Sequence, residues 1–396
     1  MNGWRRFVRE NADLTSRYTK ILAKAARREG FQRALASRLE NARLGGWRSI
    51  AERGREAVPG EAAILSAKHD ETYRRIWRHA AGEAGADVVE FAPGYFRLRR
   101  GKVETVAWRH HVMIDSPATT TLAADKAVLH RLLTAEGIPM STHGATELEG
   151  PETLDEFMSR SPGTYVVKPS KGTSGGQGVT CGVSTPDALV RAWLLARQWS
   201  STVLVEPQLI GDEFRLLFLD GELLGAVRRR PPCVVGDGQR TVRVLIDELN
   251  EHRLGDVSEV SRLVHADLDC VMALSKAGLA LRSVLALGQR VQVKMSASEN
   301  GRTDNETWSR FCPELVSTAA RALEVAGIQL GGVDLITADP MRPLGEVGAI
   351  LEVNATPGLH NHYQVAEADS VVPVAVPILQ RLLRDAEARA SVRDSH

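Results

Sequence analysis

A lysine and a group of glycines stand between two apolar stretches near the middle of the chain. Residues 165–167 read Tyr-Val-Val, Lys168 follows, and four glycines lie within residues 172–178 before an apolar stretch resumes. Because strands flank the glycines, we predict a turn between strands and not the P-loop that opens a helix. Glycines let backbone N–H groups approach an anion, and the lysine adds a point charge for a phosphate. Taken alone, the stretch is equally consistent with a flexible hairpin.

Acidic and amide side chains in the C-terminal half form a second candidate site. The sequence predicts two buried strands, within residues 331–336 and 349–358, with Asp334 in the first and Glu352 and Asn354 in the second. Since strand side chains alternate, the latter two project from the same face. Mg²⁺ prefers hard oxygen ligands and is commonly held by carboxylates together with nucleotide phosphates. The three side chains therefore predict a magnesium site, against the alternative that acids stand at these strand ends by chance.

A strand, a short connector and a second strand are predicted over residues 202–227, between these two sites. Glu206 lies at the end of the first strand, and Glu213 leads the second. Such a connector can offer backbone groups to a purine edge, while the later carboxylate accepts ribose hydroxyls. The simpler interpretation is an ordinary loop flanked by solvated acids.

Composition excludes several classes of protein. The 396 residues are 43% hydrophobic and 25% charged, which indicates a globular chain of two or three domains. A net charge of +1 gives no general argument for nucleic acid, although residues 1–60 contain 14 Lys and Arg against 6 Asp and Glu. The sequence has no apolar run long enough for a membrane span and no signal-peptide pattern, so we expect a cytoplasmic protein without a membrane partner.

Cysteine and histidine form no recognisable metal motif. The pairs His110-His111 and His360-x-His362 lack acids or cysteines at ligand spacing, so zinc is not expected. The cysteines are far apart and form no C-x-x-C pair, which is typical of buried free thiols. They are Cys181, Cys233, Cys270 and Cys312.

The remaining pattern indicates a mixed chain in several parts. Residues 1–60 are predicted as a basic helical extension that a Pro-Gly pair ends. Residues 61–117 read as a helix followed by short strands, a small α/β unit. A single further helix is predicted within residues 121–139, with a stop at the glycine and proline near its end.

The order of these features resembles the ATP-grasp superfamily of carboxylate-amine ligases over about residues 117–382. Two stretches, "RPPCVVGDGQRTVRVLIDELN" at 230–250 and "LEVNATPGLHNH" at 351–362, are similar to the ATP-grasp domain of cyanophycin synthetase and of bifunctional glutathione synthetases. The resemblance implies an α+β fold in which two subdomains clamp ATP. The implied domains are a helical extension (1–60), a pre-ATP-grasp α/β unit (61–117), a lid subdomain (118–204), a core subdomain with the magnesium site (205–385) and a tail (386–396).

The resemblance also implies roles for individual residues, with ATP and Mg²⁺ as cofactors. Two lysines would contact the phosphates, the glycine loop would cover them, and the connector would read adenine. The implied nucleotide-binding residues are Lys126, Lys168, Gly172, Ser174, Gly175, Gly176, Gly178, Glu206, Leu209 and Glu213. The implied magnesium ligands are Asp334, Glu352 and Asn354, and the implied catalytic residues, facing the transferred phosphoryl group or the acyl phosphate, are Arg215 and Arg229.

The implied reaction converts a carboxylate into an acyl phosphate, which an amine then attacks, with release of ADP and phosphate. Such phosphoryl transfer requires that the reactants are positioned and that the phosphate charge is neutralised, and it requires no protein nucleophile. The glycine loop would close as a lid that keeps the intermediate from water.

Substrate identity stays open. Cyanophycin synthetases carry an Asn-Leu-Ser-Thr-Gly-Gly type of loop near the substrate, whereas residues 298–303 here read Ser-Glu-Asn-Gly-Arg-Thr. We expect no second catalytic domain, small-molecule carboxylate and amine substrates and no nucleic acid, and a homodimer is open. Three functions remain open. The first is a ligase of amino acids or small peptides, and the second is a modifier of a peptide or protein terminus, in which the basic helices would bind the substrate. The third is a nucleotide-binding protein without ligase activity.

Overall fold

The computed structural model describes residues 61–141, 146–148, 163–170 and 176–393. The predicted helical extension over 1–60 lies outside these residues. So do three residues of the predicted glycine loop, Gly172, Ser174 and Gly175.

The first unit is a helix packed on a three-stranded antiparallel sheet, as the sequence predicts. Phe96 and Leu98 alternate with exposed residues along the middle strand and bury against Tyr73 and Trp77 of the helix. The C-terminal helix packs on the same core, and it continues through residues 386–393 of the predicted tail. The elements are α1 (Glu61–Ala84), β1 (Asp87–Ala92), β2 (Tyr95–Arg100), β3 (Val103–Trp108) and, at the C-terminus, α9 (Ala375–Arg393).

The prediction of a single helix within residues 121–139 is wrong, because the structure has two helices there. They are α2 (Pro117–Ala124) and α3 (Lys126–Ala135). Asp125 separates them with non-helical backbone angles, and its carboxylate accepts a hydrogen bond from the Val128 N–H at 3.2 Å. An aspartate is a good N-cap, so a new helix starts at Lys126. This break places Lys126 in the first turn of α3.

A four-stranded antiparallel sheet of order β4-β7-β5-β6 carries the glycine loop. The loop joins β5 to β6, as predicted, and its described glycines, Gly176 and Gly178, have φ of 81° and 74°. The predicted subdomain boundary at 204/205 falls inside β7, whose pairing with β5 keeps residues up to Pro207 in this sheet. The elements are β4 (Thr146–Leu148), β5 (Tyr165–Pro169), β6 (Thr180–Val183), α4 (Pro186–Ala196) and β7 (Val203–Pro207).

The second large sheet has five antiparallel strands in the order β12-β9-β8-β13-β14. Phe214, Leu216 and Phe218 of β8 pack on one face with α3 and α7. Helix α3, which the predicted boundaries place in the lid subdomain, therefore packs on this sheet. Leu217 and Leu219 point to the other face and bury against the first unit. The elements are β8 (Asp212–Leu219), β9 (Glu222–Arg229), β12 (Asn305–Trp308), α7 (Pro313–Ala326), β13 (Leu330–Thr337), α8 (Leu344–Val347) and β14 (Gly348–Ala355).

A smaller unit with its own core lies between β9 and β12. One of its helices follows the VVGDG stretch and has Thr241 as its N-cap. Val234, Ile246, Cys270 and Leu285 fill the core. The elements are β10 (Cys233–Val235), α5 (Val242–Gly255), α6 (Leu268–Lys276) and β11 (Arg290–Gln292).

The α+β fold class is confirmed by this arrangement of antiparallel sheets and packed helices. All the cysteines are free thiols, as predicted, with Cys233 half-buried and the others buried. Within the described ranges, no helix has the combination of length and apolar character that crossing a membrane requires.

Candidate active site

Strand register brings six of the predicted site residues onto one face of the five-stranded sheet. Asp334 of β13 lies directly opposite Arg215 of β8 on one side and Glu352 of β14 on the other. Glu213 lies opposite Arg229 of β9. Directly opposed residues point to the same face, and residues two apart along a strand do so as well. The polar end of the face that packs on the first unit is therefore built from residues that are far apart in sequence.

Arg215 and Asp334 form the most buried ion pair on this face. The guanidinium donates to both carboxylate oxygens, at 2.7 and 2.5 Å, in a bidentate geometry. Burial alone would raise the pKa of Asp334, but the charge and hydrogen bonds of Arg215 outweigh burial and hold that pKa below its ordinary value. Asp334 is therefore an ionised, oriented carboxylate.

Arg229 and Glu213 form a second pair, with 2.5 Å between Nη1 and Oε1. Burial raises the pKa of Glu213, although the nearby Arg229 charge opposes the shift. Arg229 also donates to the Ala297 carbonyl at 3.0 Å. This arginine thus links the sheet to the segment that precedes residues 298–303.

Lys126 reaches the same face from α3. Its Nζ lies 3.1 Å from Oε1 of Glu352. Asn354, two residues on, lies opposite Gly332, and its buried amide nitrogen has no hydrogen-bond partner among the described residues. Two carboxylates and an amide therefore gather on adjacent strands. Among the described residues, no three His, Cys, Asp or Glu side chains form a candidate metal site, so the amide of Asn354 is needed to complete the predicted set.

Lys168 lies on the other sheet and pairs with Glu206 at 2.8 Å. Ser141 donates to the second Glu206 oxygen at 3.2 Å. Glu206 is only 2% exposed, so its carboxylate is engaged within the protein. Leu209 is half-buried in the connector that follows β7.

His130 is a neighbour of this pair that sequence reasoning missed. It lies one turn after Lys126 on α3 and is 3% exposed. Burial, together with the charge of Lys168, lowers its pKa to about 4. A lone histidine in a helix gives no sequence signal for such a position.

The described part of the glycine loop approaches Ser298, the first of residues 298–303. A Cβ atom on Gly176 would lie 2.2 Å from the Ser298 Cβ, and Gly178 faces Trp199 with a corresponding distance of 2.7 Å. Both positions also have positive φ, so only glycine fits without strain. The loop between the strands is therefore packed against the part of the chain where the sequence departs from the cyanophycin synthetase pattern.

Aromatic side chains line the side of the site next to the first unit. Tyr73 Oη lies 3.0 Å from Nδ1 of His360, and the His69 and His360 rings meet edge to face at 5.0 Å. Burial lowers the pKa of His69 to about 4 and that of His110 to about 3. These imidazoles are neutral. The sequence did not reveal His69 or Tyr73, since both belong to the ordinary amphipathic pattern of α1.

His362 lies close to the Arg215 pair. It is 2% exposed, and burial together with the Arg215 charge lowers its pKa to about 3. Its imidazole lies near the charges of Arg215 and Asp334, and its buried Nδ1 has no hydrogen-bond partner among the described residues.

Taken together, each predicted cation faces a predicted acid: Lys126 with Glu352, Lys168 with Glu206, Arg215 with Asp334, and Arg229 with Glu213. A polyphosphate and a divalent cation arriving together could exchange these partners. The cations would turn to phosphate oxygens, and Asp334 and Glu352 would turn to the metal.

Known sequences were compared with the chain. No family model matches it. Cyanophycin synthetase of Nostoc sp. (strain PCC 7120 / SAG 25.82 / UTEX 2576) is 32% identical over 246 residues, which cover 61% of this chain and 27% of that protein. The glutathione biosynthesis bifunctional protein of Listeria innocua is 25% identical over 295 residues, 72% of this chain and 38% of that protein. The chain is a relative of these synthetases. The resemblance to the ATP-grasp carboxylate-amine ligases is thereby confirmed.

The similarity covers only part of this chain and only part of each relative. The chain spans 27% and 38% of the length of these two relatives. Among solved structures, a bifunctional glutathione synthetase from Pasteurella multocida matches with 21% identity and a TM-score of 0.49, over 77% of this chain and 43% of that one. A D-alanine–D-alanine ligase from Bacillus anthracis matches with 14% identity and a TM-score of 0.40, over 70% of each chain.

Proposed function

We propose that the chain is an ATP- and magnesium-dependent ligase that joins the carboxylate of an amino acid or small peptide to an amine. The observation that carries the proposal is the set of cation–acid pairs that two sheets and α3 hold at one site. Its members match, position by position, residues that ATP-grasp ligases use. The names of the relatives, a cyanophycin synthetase and a glutathione biosynthesis protein, support the same reaction class. We further propose a cytoplasmic location, where ATP and Mg²⁺ are available.

The nucleotide would lie between the two sheets. Lys126 and Lys168 would bind its phosphates after leaving their carboxylate partners, and the connector after β7 would hold adenine through backbone groups. Glu213 would accept the ribose hydroxyls. The proposed nucleotide-binding residues are Lys126, Lys168, Gly172, Ser174, Gly175, Gly176, Gly178, Glu206, Leu209 and Glu213.

Asp334, Glu352 and Asn354 would hold Mg²⁺. Their donors suit the ion, because two carboxylates and an amide offer hard oxygens and leave positions for phosphate oxygens. When bound, Mg²⁺ would neutralise charge on the transferred phosphoryl group. The buried amide nitrogen of Asn354 has no hydrogen-bond partner among the described residues, and as a donor it would face a phosphate oxygen while the amide oxygen faces the ion.

The residues of the chain would act mainly by positioning and charge. The substrate carboxylate attacks the γ-phosphate of ATP, forming an acyl phosphate and ADP. Arg215 and Arg229 would stabilise negative charge on the phosphoryl oxygens and then on the acyl phosphate. The amine attacks the acyl carbon and phosphate leaves, so that one C–N bond forms and one C–O bond breaks. No side chain is required as a nucleophile.

A screen for ADP release tests this proposal. The protein is incubated with ATP, Mg²⁺ and amino acids or dipeptides, singly and in pairs, beside a Lys168→Met variant that reports any contaminating ATPase. We expect a signal that needs two substrates and disappears in the variant. ADP release that no pair increases would contradict ligation of these substrates, and a signal that needs a peptide or protein terminus would favour the modifier function.

A further inference from the structure

A buried carboxylate outside the ion-paired face joins the glycine-loop hairpin to a distant segment. Asp269 lies in the first turn of α6 and is 1% exposed. Its Oδ1 accepts a hydrogen bond from the Cys181 N–H of β6 at 3.0 Å. Its Oδ2 accepts from the Met295 N–H at 3.0 Å and from the Ser296 N–H at 3.3 Å. One side chain thus holds the strand after the glycine loop and the segment of residues 294–299.

The same two parts of the chain are also in close contact at two glycines of the hairpin. A Cβ atom on Gly176 would lie 2.2 Å from the Ser298 Cβ, and one on Gly182 would lie 2.6 Å from Met295 Sδ. The hairpin and the segment therefore fit against each other, and movement of one requires movement of the other.

Charged neighbours hold the other side of segment 294–299. Lys294 is 3% exposed and pairs with Asp267 at 2.7 Å and with Glu299 at 3.2 Å. Glu299 also lies 2.7 Å from Nδ1 of His265. Asp267 is the N-cap of α6, so the segment is fixed to the start of the helix that carries Asp269.

We propose that Asp269 is a positioning residue that couples occupancy of the nucleotide site to the placement of segment 294–299. The inference rests on the proposed nucleotide site. A nucleotide that binds Lys168 and approaches Gly176 acts on the β5–β6 hairpin. The carboxylate transmits the resulting shift of the hairpin to Met295 and Ser296, because it accepts hydrogen bonds from N–H groups on both sides. Residues 298–303 are then in place when ATP is bound.

Hydrogen exchange with Mg²⁺ and AMP-PNP, a nucleotide analogue that is not hydrolysed, tests the coupling. In the wild type, peptides covering residues 165–170 and 294–299 should both exchange about tenfold more slowly with the nucleotide than without it. In Asp269→Asn, an NH₂ group must face at least one backbone N–H, so the response of 294–299 should fall to about twofold or less while that of 165–170 persists. Asp247→Asn on the exposed side of α5 is the matched control and should behave as wild type.

Each outcome decides the proposal. It is overturned if 294–299 does not respond in the wild type, or if Asp269→Asn responds as the wild type does, in which case the Arg229 bond to Ala297 carries the signal. If Asp269→Asn does not fold, Asp269→Glu, which keeps the carboxylate, should retain a response of 294–299, and a lost response would sink the idea. Calorimetry of AMP-PNP binding separates the two levels, because absence of binding contradicts the proposed function, whereas binding without a response contradicts only the coupling.

Discussion

Replacing Glu352 with glutamine is expected to lower substrate-dependent ADP release by about a hundredfold to a thousandfold at saturating Mg²⁺, because metal charge stabilisation contributes several kcal/mol. The substitution removes one of two carboxylates that would bind the ion and keeps the shape of the side chain. Folding should survive, since the Glu352 side chain is 30% exposed and the amide oxygen can still accept from Lys126.

The measurement is a steady-state rate with Mg²⁺ varied, together with Mn²⁺ affinity in the presence of AMP-PNP. Both the rate and the Mn²⁺ affinity should fall in Glu352→Gln. Glu346→Gln is the matched control, because Glu346 is an exposed acid of α8 that pairs with Arg342 and lies outside the site. Turnover close to that of the wild type at saturating Mg²⁺ would rule Glu352 out as a metal ligand.

Replacing Arg215 with methionine is expected to destabilise the protein by about 3–5 kcal/mol at pH 7, because it leaves the buried Asp334 carboxylate without its partner. Side-chain exposures of 17% and 6% place this pair out of reach of solvent screening. The double variant Arg215→Met, Asp334→Asn should recover much of the loss, since both charges are then removed. Urea unfolding of the three proteins measures the effect.

The direction in which stability changes with pH is a further test of this prediction. In the wild type the pKa of Asp334 is depressed, so the stability that it contributes is present above the ordinary aspartate pKa of about 3.9 and is lost as pH falls through the folded-state value. In Arg215→Met, burial dominates and the pKa rises. The stability of that variant should therefore decrease as pH rises from about 4 to 7, relative to the double variant. Equal stability of Arg215→Met and wild type at pH 7 would contradict the buried pair.

Strand patterns predicted the residues of one half of the site because strands alternate with a period of two. Glu352 and Asn354 had to share a face, and the structure adds the register that sets Glu352 opposite Asp334. The register itself was beyond the sequence, since it shifts at an irregularity between Asp334 and Leu335. The pairing of Lys126 with Glu352 was also beyond the sequence, because these residues lie on a helix and a strand that are far apart in the sequence.

A local capping hydrogen bond and contacts between distant segments explain the features that the sequence did not predict. The apolar spacing of residues 121–139 fits one helix, but the capping hydrogen bond of Asp125 outweighs it and starts a second. Asp269 looks like any acid in the first turn of a helix, and only the fold brings Cys181 and Met295 to it. His69 and Tyr73 likewise occupy ordinary helical positions until the turn after β14 packs on them.

The fate of the carboxylate oxygen tests the central claim, ligation through an acyl phosphate, most directly. The protein is incubated with ATP, Mg²⁺ and pairs of amino acids or dipeptides whose carboxylates carry oxygen-18, and mass spectrometry follows the label. We predict ADP as the nucleotide product and one labelled oxygen in the phosphate released, because the acid attacks the γ-phosphate and the amine then displaces that oxygen. AMP as the stoichiometric product, with the label in AMP, would contradict the mechanism and the roles proposed for Lys126, Lys168, Glu352 and Asn354.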